Sequence, residues 1–124
     1  MGLTTPLLKT GSVSTSPPSS GTHLVAVYRP SASDPKKAAI LKSIRITNTN
    51  EDPARIRGWF RKNGADMTSE SDGRRVIPYD FQLLLGDTLL EDAELTLGSG
   101  DGLFLYSDTS GVEFVLSGVE QDVS

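Results

Sequence analysis

The chain has 124 residues, no cysteine, 12 lysines and arginines against 16 acids, and a formal net charge of −4. That length suits one domain, or one domain with an appendage, and the lack of cysteine excludes a disulfide framework, a thiolate nucleophile and a cysteine-ligated metal. No apolar run approaches the roughly 20 residues of a membrane span, and Leu7-Leu8 before Lys9 is too short for a signal-peptide core, so a soluble setting without a membrane partner is expected.

The charges are unevenly placed. Every lysine and arginine lies at or before Arg75, and from Asp66 onward thirteen acids face only Arg74 and Arg75. A basic half and an acidic half suggest that one face of a subunit meets the opposite face of another copy, or a charged neighbour.

In chain order, residues 1–22 come first. They are dominated by Ser, Thr, Gly and Pro, hold too little apolar surface to fold alone, and take an extended path at Pro17-Pro18. The segment reads either as a disordered tail or as an arm ordered by a partner surface. We take the second reading, with Leu3, Leu7 and Leu8 as anchors.

Residues 23–124 read as a β-sandwich domain. Residues 23–29 (HLVAVYR) alternate and are rich in β formers. Pro30 and Pro35 argue against helix over 32–39. Residues 40–48 place Ile44 and Ile46 on one face, with Arg45 and Thr47 on the other. Residues 54–62 (ARIRGWFRK) turn Ile56, Gly58 and Phe60 inward, and Asn63-Gly64 is a tight-turn signal at their end. The polar run 65–73 is expected to be an exposed loop. Residues 75–85, 88–91, 94–97, 103–107 and 112–119 supply the remaining strands. Gly86-Asp87-Thr88-Leu89 is echoed by Gly100-Asp101-Gly102-Leu103. Corner chemistry accounts for that echo, because Gly accepts positive φ and Asp bonds its own backbone. The expected fold is all-β: a single β-sandwich or jelly-roll-like domain of about eight strands with an extended N-terminal arm.

Residues able to carry chemistry are few. His23 is the lone histidine, which removes a histidine-rich metal site, and no cysteine accompanies it. Asp87, Glu91, Asp92, Glu94 and Asp101 have the composition of a calcium loop without its regular alternation and closing Glu. Nothing places two of these carboxylates across a cleft, as a glycosidase needs. Gly98-Ser99-Gly100-Asp101-Gly102 joins two strands rather than a strand to a helix, so it is no phosphate loop. No catalytic, cofactor or metal residue is assigned, and an enzyme is not expected.

Arg55, Arg57, Trp59 and Arg61 fall on alternate positions of one strand and therefore share a face. Three guanidiniums around one indole could grip an acidic protein surface, such as the acidic half of a neighbouring copy, or stack on bases. A sequence pI near 4.9 argues against nucleic acid as the partner. A solvated outer face is the third reading of this stripe.

The body resembles a family of small virion structural proteins of tailed bacteriophages. The resemblance is carried, in order, by Lys42-Ser43-Ile44-Arg45-Ile46-Thr47-Asn48-Thr49, Leu84-Leu85-Gly86-Asp87-Thr88-Leu89, Leu95-Thr96-Leu97 with Gly100-Asp101-Gly102-Leu103, and Val115-Leu116-Ser117-Gly118-Val119-Glu120. It covers roughly residues 23–121 and departs over 29–38, where a longer, lysine-bearing link replaces a short turn. The resemblance implies successive strands of one sandwich, no catalytic motif and no cofactor. It further implies a capsid decoration (cement) protein on the outer capsid surface of the virion, present in the host cytoplasm before assembly. Such a protein is a homo-oligomer, often a trimer, bound to the major capsid protein or another virion protein. Alternatives are an accessory protein of tail, neck or baseplate, or a carbohydrate-binding module of a tail fibre with Trp59 as the sugar platform.

Overall fold

Alternation of apolar and polar side chains, punctuated by Gly, Asp and Asn, produces nine strands and one short 3-10 turn among the described residues. The structure is a computed structural model and describes residues 4–33, 35–62, 64–91 and 94–123. The strands are β1 (Thr4–Ser12), β2 (Lys37–Asn48), β3 (Ala54–Arg61), β4 (Arg74–Arg75), β5 (Phe81–Leu83), β6 (Thr88–Glu91), β7 (Leu95–Leu97), β8 (Gly102–Ser107) and β9 (Val112–Asp122). The 3-10 turn spans Glu70–Asp72.

They form two antiparallel sheets, as expected of a β-sandwich. Sheet A has five strands in the order β1-β9-β2-β6, with β7 also on β2. Sheet B has four, with β3 carrying β4 and β5 at its two ends and β8 along its length. The stretch 75–85, expected as one strand, is broken between β4 and β5. Pro78 cannot donate to a ladder, and Asp80 adopts φ 53, a left-handed conformation in which a strand cannot continue.

The main core lies between the sheets. Leu41, Ile44, Ile46, Phe114 and Leu116 of sheet A pack with Ile56, Leu83, Leu103 and Leu105 of sheet B. Buried Asn48 ties the sheets at one end: its Nδ2 donates to Leu83 O at 3.0 Å and to Asp52 O at 2.9 Å, while its Oδ1 accepts from Asn50 N. A polar group buried this deeply stabilises only when fully partnered, as here.

The Gly-Asp corners behave alike. Gly86 and Gly100 have φ 78 and 86, and Asp87 and Asp101 accept from the backbone N–H three residues earlier, Leu84 and Gly98. Asp87 and Asp101, whose neighbourhood has a calcium-like composition without the calcium-loop order, thus brace turns.

Two expectations are corrected. Residues 23–29 form no strand; their backbone pairing consists of isolated bridges, Leu24 with Met67 and Tyr28 with Leu103. Their alternation reflects anchoring at Leu24 and Tyr28, both buried, while Val25 stays exposed. The N-terminal segment, expected as an arm ordered by a partner surface, is paired within its own chain. Thr4–Ser12 is an edge strand of sheet A, paired along its whole length with β9 from Thr4 opposite Gln121 to Ser12 opposite Glu113. Its few apolar residues suffice because β9 supplies a ready template of backbone donors and acceptors. The turn expected at Asn63-Gly64 involves Asn63, outside the described residues.

The pairing of β2 and β9, the longest in the molecule, slips between Leu41 and Ser43 opposite Gly118, a bulge in which Lys42 is the extra residue. A Cβ at position 118 would collide with the carbonyl of Ile40, so only glycine allows this approach. Gly118→Ala should lower stability by about 1–3 kcal/mol through overpacking, read as a reduced urea midpoint with an unchanged slope. An unaltered midpoint would mean the strands can part at the bulge without cost.

Candidate functional site

The arginine strand, β3, has the expected two faces. Ala54, Ile56 and Gly58 point into the sandwich, and Arg55, Arg57, Trp59 and Arg61 point the other way. Most of that outer face is covered by the chain itself. Trp59 is only 1% exposed and packs with Leu24, Met67 and its cross-strand neighbour Phe104 in a second apolar cluster. Leu24 and Met67 exchange backbone hydrogen bonds at 2.8 and 3.0 Å, closing the chain over the indole. Trp59 is therefore a core residue, and the readings of it as a partner-gripping or sugar-stacking platform are overturned.

The polar loop 65–73, expected to be exposed, carries the lid of this cluster, since Met67 is fully buried. A capping box holds the lid in shape: Ser69 caps Ser71 N and Asp72 reaches back to Ser69 N. Asp72 also accepts from Thr68 N at 2.9 Å. Those hydrogen bonds, together with the nearby Arg61 cation, hold its carboxyl below its ordinary pKa.

The arginines fasten the same loops. Arg57 donates from Nε to Asp80 at 2.6 Å and from Nη1 to Glu70 at 2.9 Å. Its guanidinium lies 4.4 Å from the Tyr79 ring centroid and 5.4 Å from that of Tyr106, and Arg75 lies 4.0 Å from Tyr79. The Asp80 hydrogen bond raises the pKa of Arg57, and Arg57 holds the Asp80 carboxyl low. Arg61 donates to Asp66 O at 2.8 Å and faces Asp72 at 3.7 Å. Arg29 donates to the carbonyls of Gly64 and Gly100 and lies over Phe104. Of the expected stripe, Arg55 alone is exposed.

Part of the charge split is met within one chain. Lys37 pairs with Asp122, Arg57 with Glu70 and Asp80, and Arg61 with Asp72. Among the described residues, each of these ion pairs joins a cation no later than Arg61 to an acid no earlier than Glu70.

Of the expected anchors, Leu3 lies outside the described residues. Leu7 is half-buried against the main core, and Leu8 on the opposite face is 71% exposed. Leu8 belongs to a surface that the sequence reading did not single out, the outer face of sheet A. By register, Pro6, Leu8 and Thr10 of β1 lie beside Val119, Ser117 and Val115 of β9. Ile40, Ser43 and Arg45 of β2 continue the row, followed by Leu90 and Thr96. The same face carries Arg45 and, opposite Ser12 and Thr47, Glu113. Tyr28, by contrast, is buried below this sheet and donates its hydroxyl to Glu120; burial first, then that carboxylate, pushes its pKa well above the ordinary tyrosine value. His23 is exposed. Among the described residues no group of three or more His, Cys, Asp or Glu side chains could hold a metal ion; Asp92 lies outside them.

The Arg57–Asp80 contact yields a pH test. Because the folded pKa of Asp80 is depressed below its ordinary 3.8, its contribution to stability is present above that value and is lost as pH falls through the folded pKa. Asp80→Asn keeps a residue tolerant of positive φ. It should unfold at lower urea than the parent at pH 7, and the two midpoints should converge as pH falls below 3.8. A gap that stays constant down to acid pH would assign the effect to backbone geometry instead of charge.

No protein-family model, curated protein or solved structure matches this chain.

Proposed function

We propose that this chain is a non-enzymatic structural protein of a tailed-bacteriophage particle, decorating the head shell and stabilising it. It does so as a homo-oligomer, a trimer, in contact with the major capsid protein on the outer capsid surface. The observation that carries this reading is the outer face of sheet A, a row of Thr, Ser, Val, Ile and Leu interrupted by Arg45, with Leu8 and Leu90 well exposed. Contiguous surfaces of this kind mark protein contacts. A sheet is also a rigid platform, so little conformational entropy is lost when it docks.

The sequence resemblance supports the same assignment. Its runs fall in β2, in the turn leading to β6, in β7, at the start of β8 and in β9, so all but one belong to sheet A. A weak contact repeated over a lattice holds by avidity, which suits a face whose contacts are shallow.

Two measurements test the proposal. Quantitative mass spectrometry of purified particles should count on the order of hundreds of copies per particle, as avidity over a shell requires. About six or twelve copies, the number set by ring symmetry, would assign the protein to tail, neck or baseplate instead, and its absence would overturn the proposal. Leu8→Lys places a charge in the exposed row without touching the core. It should leave the urea midpoint unchanged and reduce particle occupancy by roughly tenfold. Full occupancy would remove sheet A's outer face as the docking surface.

A further inference from the structure

We propose that β1 is exchanged between copies, so that the N-terminal strand of one protomer occupies the β9 edge of its neighbour. The inference deepens the assembly role proposed above, by naming the contact between copies, and is tested without particles. Its failure is therefore separate from a failure of the virion reading.

Three observations carry it. The first is how little fastens β1 to its own body beyond the β9 edge: every residue of the strand is exposed except half-buried Leu7. Gly11 lies against the Phe114 ring, Val13 is buried and donates to Val112 O, and Ser14 O accepts from Ser107 N. An identical neighbour offers all of these partners unchanged, so exchange costs none of them.

The second is the link. Residues 15–23 are exposed apart from half-buried Pro18. Their internal hydrogen bonding is a small turn between Ser19 and Thr22 and a Ser14–Ser16 contact. Pro17-Pro18 favours an extended path, and nine extended residues reach about 30 Å, enough to pass from one protomer to the next. Beyond the link, Leu24 and Tyr28 are buried, so the body stays intact while the unit 4–14 moves. The hinge is thus bounded on both sides by anchored residues and is itself almost free of contacts.

The third is the edge that β1 covers. Without it β9, paired with β2 on its other side, presents a bare edge from Glu113 to Gln121, a strong template for strand addition. The occupant must match its register, and the row Thr4 to Ser12 does so at nine successive positions. A second copy of the same segment is the one occupant already known to fit.

Because the chain has no cysteine, cross-linking reads the exchange directly. Pro6 has no N–H to give to β9, so its pair with Val119 is a non-hydrogen-bonded one. By alternation so is Thr10 opposite Val115, a close pair within disulfide reach. Thr10→Cys and Val115→Cys chains are mixed in equal amounts, refolded together at high concentration and oxidised. Exchange predicts a disulfide-linked heterodimer joining position 10 of one chain to position 115 of another. With free mixing, about half of the arm–body contacts should join unlike chains. The double variant should give linked oligomers whose share rises with concentration. If instead it closes within single chains at every concentration and the mixture yields no heterodimer, the exchange is wrong. Failure of both to link would overturn the β1–β9 seat on which it rests. Thr10→Cys mixed with Thr88→Cys, at the far edge of sheet A, should link poorly. Equal linking there would reduce the matched result to random collision and would also overturn the proposal.

Discussion

The pairing of Trp59 with Phe104 across β3 and β8 puts two large aromatic side chains on the face of sheet B that points away from the sandwich. Left in water, those rings would forfeit several kcal/mol of burial, since removing a buried aromatic of this size costs about 3–5 kcal/mol. The chain must therefore supply a third, thin layer. It does so from two directions, Leu24 arriving from the N-terminal side and Met67 from the loop after β3. Much of the local geometry follows from that requirement. Seating Met67 fixes the capping box at Glu70–Asp72, which sets Glu70 and Asp72 beside Arg57 and Arg61. Seating Leu24 obliges the preceding chain to cross from the β9 edge of sheet A to the outside of sheet B.

The segregation of basic and acidic residues takes on a different meaning in this light. Antiparallel pairing brings early strands against late ones, β1 and β2 against β9 and β3 against β8. Among the described ion pairs, the pairing of β2 with β9 supplies Lys37–Asp122, whereas Arg57 and Arg61 meet their acids on the segments that follow β3. The resulting ion pairs are partly exposed, and pairs of that kind contribute little to stability individually. Their effect is on geometry. Arg57 spans Glu70, three residues after Met67, and Asp80, next to Tyr79, and so ties both segments to β3. Charge here selects the loop conformation, while the aromatic cluster supplies the driving force.

What could be read from the residues follows the same division. Alternation marked β2, β3, β8 and β9 closely, and the repeated Gly-Asp corners were legible because positive φ and aspartate self-bonding are local properties. The fate of the Arg55–Arg61 face was not local. Period-two alternation says that the two faces of a strand differ, not whether the more polar one is covered. The indole among the guanidiniums was the one available signal of burial. Residues 23–29 misled for the converse reason: a strip anchored at Leu24 and Tyr28 shows the same spacing as a strand without joining a ladder. The strand β1 was hidden by its composition. An edge strand with one half-buried side chain needs almost no apolar residues, because its partner's backbone does the templating.

That dependence on a partner constrains assembly. Pro6 and Lys9 blunt the outer side of β1 against casual strand addition, whereas β9 has no comparable proline along its length. Protection of the sheet edge is therefore delegated to β1, and a body that gives up its own strand leaves the more dangerous edge bare. Exchange is self-consistent only when every copy that lends a strand also receives one, which favours closed rings of subunits over open chains. In such a ring the outer face of sheet A would be completed in each subunit by Leu8 of the next. The surface proposed to dock on the particle and the contact that joins the copies would then share one strand, making docking sensitive to whether the ring has closed.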